Sequence, residues 1–277
     1  MKKPVKIHPA ESITIRLTDA AFERGIPLPD GLKMRDKREP YYLEKMRLER
    51  KFINAMNRLF KRQSAQVELW MNSVFFGRNK AETPEFPEDL LNATDEEIRE
   101  LLLLLFTGAG YGAARLELEL LLGLDYTLTN IEVAAWARAY AGTLVKNIDK
   151  TTVNVIRKGL GMFVETPGFT IRDFMNLLPF DERRSMRIAV TEITNAYAEG
   201  QKIGAERLKK EYPGVPIYKT WFTNRDDRVC EICAPLHGQS IPMDDMFRVK
   251  GIEIEKPAAH VNCRCWIAYS TRMPQSG

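Results

Sequence analysis

Five residues of types that commonly bind metal ions are clustered towards the carboxy-terminal end of the chain. They are Cys230, Cys233, His260, Cys263 and Cys265, and no cysteine precedes Cys230. A Cys-x2-Cys turn brings two thiolates close enough to share one ion, and a second pair from a distant segment completes a tetrahedron. Sulfur and imidazole ligands favour zinc over magnesium or calcium. The spacing therefore predicts a zinc site in which Cys230 and Cys233 are joined by two of the other three residues.

The predicted role of this zinc is structural, because thiolate-rich sites with four protein ligands rarely keep an open position for substrate. The segment that carries the ligands has few large aliphatic residues, and zinc binding would supply folding free energy that so small a core lacks. Disulfide or redox chemistry and inert thiols are the alternatives. Disulfides need an oxidising compartment, and a redox Cys-x2-Cys pair normally opens a helix in a βαβ unit. His237, beside Gly238 in a predicted turn, is interpreted as a surface or supporting histidine.

Catalytic uses of the same residues fit the sequence less well. A cysteine protease needs a free thiolate beside a base, and metal binding would occupy these thiolates. A metal-dependent HNH-like nuclease is the stronger alternative, because His260-Val261-Asn262 lies beside cysteine pairs. Such a nuclease needs a second catalytic histidine, and His237 is the only candidate near the cysteines. We therefore expect no enzymatic activity, no catalytic residue and no small-molecule substrate.

The elements that must position these residues change character at Tyr212-Pro213-Gly214, a stop signal for a helix. Before it, apolar residues recur at three- and four-residue spacing, which is typical of helices. After it, the segments 216–222 (PIYKTWF) and 263–270 (CRCWIAYS) are rich in aromatic and β-branched residues, which indicates strands. The predicted fold class is α+β, mostly α. It comprises a basic, poorly ordered arm (1–40), a helical domain (41–212) and a small β-rich zinc-binding module (213–277).

Within the helical domain, caps and glycines predict where helices begin and end. A helix is predicted from about Tyr42, and the longest one is predicted over 182–211 with Asp181 as its N-cap. Thr94 and Glu97 form a capping box that predicts a helix start, and glycines at 108, 110 and 112 predict its interruption. Separate helices are predicted over 130–147 and 151–163.

One face of the helix predicted over 182–211 carries small residues at positions 196, 200 and 204. A glycine inside a helix costs up to about 1 kcal/mol relative to alanine. Gly200 and Gly204 therefore predict a close approach to another element, for which the absence of a side chain is useful.

Charge is unevenly distributed along the chain. Residues 1–80 carry 18 Lys and Arg against 9 Asp and Glu, whereas the remainder carries 23 against 28. A basic first third can bind DNA without sequence preference by neutralising phosphates, dock on an acidic protein surface, or simply be solvated. The strongly apolar run 101–106 is far shorter than the roughly 20 residues that span a bilayer. The basic amino terminus lacks the apolar segment of a secretory signal, so we expect no membrane partner.

The carboxy-terminal residues resemble those of phage minor head proteins of the Mu F-like head morphogenesis family. The resemblance covers about residues 130–270 and is carried by WFTNRDDRVCEICAPLHGQSIP and PAAHVNCRC. The positions that match are Trp221, Asp226, Cys230, Cys233, Leu236, Gly238, His260, Cys263, Arg264 and Cys265. The family carries Arg-Thr-Glu and then Asn on an upstream helix; here Val190-Thr191-Glu192 and Asn195 stand at those positions.

This resemblance implies a structural minor head protein of a tailed phage or prophage. It implies a virion component of the head interior, assembled in the host cytoplasm, that aids head assembly, DNA packaging or ejection. The implied partners are the portal protein and the major capsid or scaffold protein, and the basic amino-terminal region adds DNA as a further candidate. A metal-dependent HNH-like nuclease or a DNA-binding accessory protein remains the alternative function.

Overall fold

Long helices precede short strands in the computed structural model, which describes residues 39, 41–75, 83–121, 127–224, 226 and 229–273. The helices are α1 (Tyr42–Phe75), α2 (Asp89–Leu121), α3 (Thr127–Glu165), α4 (Ile171–Leu177) and α5 (Glu182–Glu211). The strands are β1 (Tyr218–Phe222), β2 (Ser240–Pro242), β3 (Phe247–Val249), β4 (Ile252–Ile254) and β5 (Trp266–Ser270), with a 3-10 helix at Ala234–Leu236. The predicted fold class, a mostly helical α+β chain with a small carboxy-terminal β module, is confirmed. The arm predicted for residues 1–40 lies outside the described residues, apart from Glu39.

Two helices are longer than predicted. Helix α2 begins at Asp89 and continues through the glycines at 108, 110 and 112, so the predicted interruption is wrong. Thr94 does not start this helix: its hydroxyl donates to Leu91 O (2.8 Å) and accepts from the buried Gln63 amide (2.7 Å). The two helices predicted over 130–163 are one helix, α3. No glycine or proline separates them, and the hydroxyl of Thr151 bonds back to Asn147 O (2.9 Å) within the helix.

The glycines of α2 and α5 let these helices touch backbone to backbone. A Cβ built at Gly200 would lie 2.4 Å from Gly110 O and 2.8 Å from Gly110 Cα. A Cβ at Gly110 would lie 2.5 Å from Val133 Cγ1 of α3. The close approach predicted for the small-residue face of α5 is therefore confirmed at Gly200, and Gly110, one of the glycines predicted to interrupt α2, is part of the same contact.

The ends of α5 follow the sequence prediction. The Asp181 carboxylate accepts a hydrogen bond from Arg184 N (2.6 Å), which satisfies one of the free N–H groups at the helix start. The helix ends at Glu211, and Tyr212 N donates to Leu208 O (2.9 Å) before Pro213 prevents continuation.

The β module consists of a three-stranded antiparallel sheet and a two-stranded hairpin. The sheet order is β2-β1-β5, with Tyr218 opposite Ser270 and Phe222 opposite Trp266. The hairpin pairs β3 with β4. The core of the module contains Trp221, Leu236, Phe247 and Ile267, and α5 adds two further residues to it, Ala205 and Leu208. Helix α5 therefore packs against the β module as well as against the other helices. The domain boundary between residues 212 and 213 stays a prediction.

Candidate metal centre

Two loops of the β module bring the predicted ligands together. Cys230 and Cys233 lie between β1 and β2, in a turn where Cys230 O accepts from Cys233 N (3.1 Å) and Ala234 N (2.9 Å). His260, Cys263 and Cys265 lie between β4 and β5. Because β1 pairs with β5, Phe222 lies opposite Trp266 and the two ligand loops leave the same end of the sheet.

The five side chains form two overlapping donor groups. Cys230, Cys233 and His260 form the first, and Cys233, Cys263 and Cys265 form the second. The ligand atoms of each group lie within 4.8 Å of one another. Nε2 of His260 lies 3.0 Å from Cys230 Sγ and 3.2 Å from Cys233 Sγ. The structure thus brings together every residue predicted as a ligand, all four cysteines are free thiols, and Cys233 belongs to both groups.

The cluster stabilises a thiolate at Cys263, whereas hydrogen bonding to Cys263 and Cys265 raises the pKa of Cys233. Hydrogen bonds from the thiols of Cys233 and Cys265 hold the pKa of Cys263 well below its usual value, although burial opposes this. Hydrogen bonding to Cys263 also raises the pKa of His260 to about 9, against the effect of burial. A thiolate stabilised by its neighbours is the form that binds a soft cation.

A buried indole beside the cluster gives a separate indication of whether the site suits a bound cation. Trp221 is fully buried, and its Nε1 makes no hydrogen bond of acceptable geometry within the part of the chain that the structure describes. On balance the pKa of the Cys265 thiol is raised, although Cys233 first and the Trp221 indole second act to lower it. A thiolate at Cys265 would give the indole N–H the acceptor that it lacks. The donor set and this orphaned N–H therefore fit a thiolate-bound metal ion.

The polar face of helix α5 makes hydrogen bonds to the second ligand loop, which lies between β4 and β5. Thr194 Oγ1 donates to Cys263 O (2.9 Å), and Asn262 N donates to Thr191 Oγ1 (2.7 Å). Asn262 has a positive φ of 67°, a conformation that asparagine tolerates better than most residues. The two threonines therefore fix the backbone on either side of a ligand. The sequence analysis did not single out Thr194. Its spacing of three residues from Thr191 places both hydroxyls on the same face of the helix, and this could have identified it.

The same face of α5 continues as a polar contact with the module. Lys256 Nζ donates to Asn195 Oδ1 (2.6 Å) and pairs with Glu199 (3.1 Å). One turn further, Lys202 pairs with Glu255 (2.7 Å). From the sequence alone, such a row of polar residues would be predicted to face solvent. In the structure, these residues hold the β module against α5.

Glu192 and Tyr140 join this polar face of α5 to helix α3. Tyr140 donates its hydroxyl to Glu192 Oε2 (2.7 Å). Burial raises the pKa of Glu192, and the hydrogen bond from Tyr140 and the charge of Lys256 oppose this rise. The upstream Glu of the sequence resemblance is therefore a buried, hydrogen-bonded residue of the helix that carries the module.

The remaining residues of the sequence resemblance shape the ligand loops. Arg264 pairs with Asp226 (2.7 Å), which ties the second loop to the first. His237 lies outside both donor groups; its Nδ1 accepts from Thr223 N (3.0 Å), and its ring packs against Phe222. Gly238 has a φ of 78° and donates its N–H to Trp221 O (2.8 Å), so this turn favours glycine.

Comparison with known proteins confirms the resemblance over residues 143–268, which match the family model described as Phage Mu protein F like protein. This segment contains the end of α3, both later helices and the module as far as β5, including all five donors. In comparisons with curated proteins and with solved structures, nothing matched significantly. Among the described residues, every helix is too short or too polar to cross a membrane.

Proposed function

We propose, from the membership of residues 143–268 in the phage Mu F-like family, that the chain is a structural head morphogenesis protein of a tailed phage or prophage. The family match carries the proposal, because it covers the donor cluster together with the helix that supports it. Thr191, Glu192 and Asn195, which the sequence resemblance includes, make the contacts between α5 and its neighbours. The matched segment therefore includes the residues with which α5 supports the second ligand loop.

In this proposal, zinc acts as a structural cross-link between the two ligand loops. Cys230 and Cys233 would hold it from the first loop, with two of His260, Cys263 and Cys265 from the second. The loops have little regular structure of their own, and coupling of metal binding to folding would fix them. The polar face of α5 then presents the module in one orientation on the helical body.

The proposed partners are the portal protein and the major capsid or scaffold protein, and the proposed location is the interior of the phage head. Assembly would take place in the host cytoplasm, with roles in head assembly, DNA packaging or ejection. The long helices would supply the docking surface, and the zinc-bound module would form a rigid projection held along α5. Family membership supports the head assignment, and these finer partners are our inference from it.

The test is capture of the tagged chain from a lysate in which heads are assembling, with zinc measured on the same sample. We expect portal and major capsid protein to co-purify with about one zinc ion per chain. Cys230→Ser and Cys233→Ser should lose zinc and fail to enter heads, whereas Glu231→Gln, an exposed change in the same loop, should do neither. Normal entry of both zinc-free cysteine variants would contradict a structural role for zinc, and failure to recover any head protein would contradict the function itself.

DNA is proposed as an additional partner of the basic amino-terminal region. In the described part of that region, Lys51, Arg58 and Lys61 are exposed on α1. Binding through phosphates should weaken steeply with added salt and show no sequence preference. Absence of binding at low salt would leave a protein surface as the partner of these residues.

The nuclease alternative has a direct assay. Plasmid DNA is incubated with the protein and magnesium or manganese, beside a His237→Ala/His260→Ala double variant. We expect no cleavage, because His237 lies outside the donor groups and its Nδ1 accepts a backbone hydrogen bond. Metal-dependent cleavage that the double variant lacks would replace the structural proposal.

A further inference from the structure

A second polar cluster lies inside the helical body and has no part in the metal centre. Asp95 of α2 faces Asp149 of α3, and Arg184 at the start of α5 completes the group. The Oδ1 atoms of both aspartates are sealed from solvent and receive no hydrogen bond from another group. Two ionised carboxylates can only accept, so neither can satisfy the other.

One proton between the two carboxyls removes this conflict. When Asp149 is protonated, its O–H donates to Asp95 and supplies the missing donor. Buried carboxyl pairs commonly bind one proton in this way, because two negative charges at contact distance repel each other strongly in a poorly solvated site.

Arg184 does not neutralise the second charge. Its guanidinium is buried and donates to Thr152 Oγ1 (3.0 Å), Pro179 O (2.9 Å) and Ile148 O (2.9 Å). The ring of Phe60 packs against the same guanidinium, 5.0 Å from its central carbon. The other charged groups acting on Arg184 are Asp181 and Arg187, both on or beside α5. Arg184 therefore supplies one positive charge for two carboxyls, and its N–H groups are already bonded elsewhere. A single proton makes the group of Asp95, Asp149 and Arg184 electrically neutral.

We propose that Asp95 and Asp149 form a proton-sharing pair that makes the packing of α2, α3 and α5 sensitive to pH. Burial, and after it the charge of Asp95, raise the pKa of Asp149 to about 7, while Arg184 opposes this rise. In the unfolded chain the same group has an ordinary value of 3.8. Because the pKa is raised in the folded state, the stabilisation is complete below about pH 4 and is lost as the pH rises to about 7. Above that pH, the second buried charge loosens the junction of the three helices.

The experiment measures unfolding of the full chain in urea by far-ultraviolet circular dichroism at pH 5, 6, 7 and 8, with zinc held constant. We expect the urea midpoint of the wild type to fall as the pH rises through this range. Asp149→Asn should unfold at a higher midpoint than the wild type at pH 8 and should show less pH dependence, because the amide donates to Asp95 without titrating. Glu100→Gln, an exposed change on α2, should leave the wild-type profile unaltered.

Equal pH profiles for the wild type and Asp149→Asn would overturn the proposal. If Asp149→Asn does not fold, Asp95→Asn provides the same test from the other side of the pair. Carbon-13 labelling of aspartate side chains gives an independent measurement on the unmodified chain. One carboxyl should titrate near pH 7, and titration of every aspartate below pH 5 would also overturn the proposal.

Discussion

Cys233 is the residue that the two donor groups have in common. Its sulfur lies within 4.8 Å of the ligand atoms of Cys230 and His260 in the first group and of Cys263 and Cys265 in the second. Cys233→Ser should therefore abolish zinc binding. Cys230→Ser should also lose zinc, but more slowly, because Cys233, which both donor groups share, is still present. Elemental analysis after dialysis against a weak chelator measures both, and equal zinc loss in the two variants would show that Cys233 is not central.

The sequence singled out all five residues that the structure brings together, because Cys-x2-Cys and His-x2-Cys-x-Cys are local patterns with a direct chemical meaning. It did not predict the surroundings of the donors. Trp221 and Thr194 come from a strand and a helix that are distant along the chain, and only the folded arrangement places them near Cys265 and Cys263. The spacing of the residues also does not predict which four of the five would bind the proposed zinc ion.

The hydroxyl of Thr194 is the clearest support that α5 gives to a ligand loop. Thr194→Val keeps the shape but removes the hydrogen bond from Oγ1 to the buried Cys263 O. We expect a loss of about 1–3 kcal/mol in the free energy of unfolding, together with weaker zinc binding. Thr143→Val is the matched control, because Thr143 is exposed and its hydroxyl bonds only within α3, to Ala139 O. An equal effect of the two changes would argue against a supporting role for Thr194.

At the scale of secondary-structure elements, the crossing of α2 and α5 depends on two glycines. Gly200→Ala would place a methyl group 2.4 Å from Gly110 O, and backbone atoms cannot move aside cheaply. Overpacking of this kind costs about 1–3 kcal/mol.

Gly142→Ala in α3 is the control for this change, because nothing lies within 4 Å of its added Cβ. This variant should be stabilised by up to about 1 kcal/mol, since alanine favours the helix. Thermal unfolding of the two variants should therefore shift in opposite directions. A neutral or stabilising Gly200→Ala would mean that the helices lie further apart than the structure shows.

Helix α5 was predicted with its correct ends because both signals are local: the Asp181 cap and the break at Pro213. The continuity of α2 and α3 could not be predicted in the same way. Glycines at 108, 110 and 112 lower local helix propensity, and Gly110 is tolerated because α2 and α5 approach each other closely there. This contact joins Gly110 to Gly200, which is distant along the chain, so the residues near Gly110 cannot predict it.

At the scale of the whole molecule, the helical body and the β module should respond differently to loss of metal. Removal of zinc by a chelator should unsettle the ligand loops and the surroundings of Trp221 and Trp266, while most of the helices persist through their own cores. We expect a change in tryptophan fluorescence with little change in the helical circular dichroism signal. A chelated sample with unaltered fluorescence would contradict metal-dependent order in the module. Loss of most helical signal would show that the body depends on the metal as well.

The backbone contact between Gly110 and Gly200 also restricts how chains of this architecture can diverge. Gly200 accepts no side chain while α2 stays in place, whereas a side chain at Gly110 would meet Val133 of α3, so Gly110 should be replaced only together with Val133 in related sequences. A relative with a larger residue at position 200 should have α2 and α5 further apart. Its module, which docks on α5, would then be displaced relative to the rest of the body.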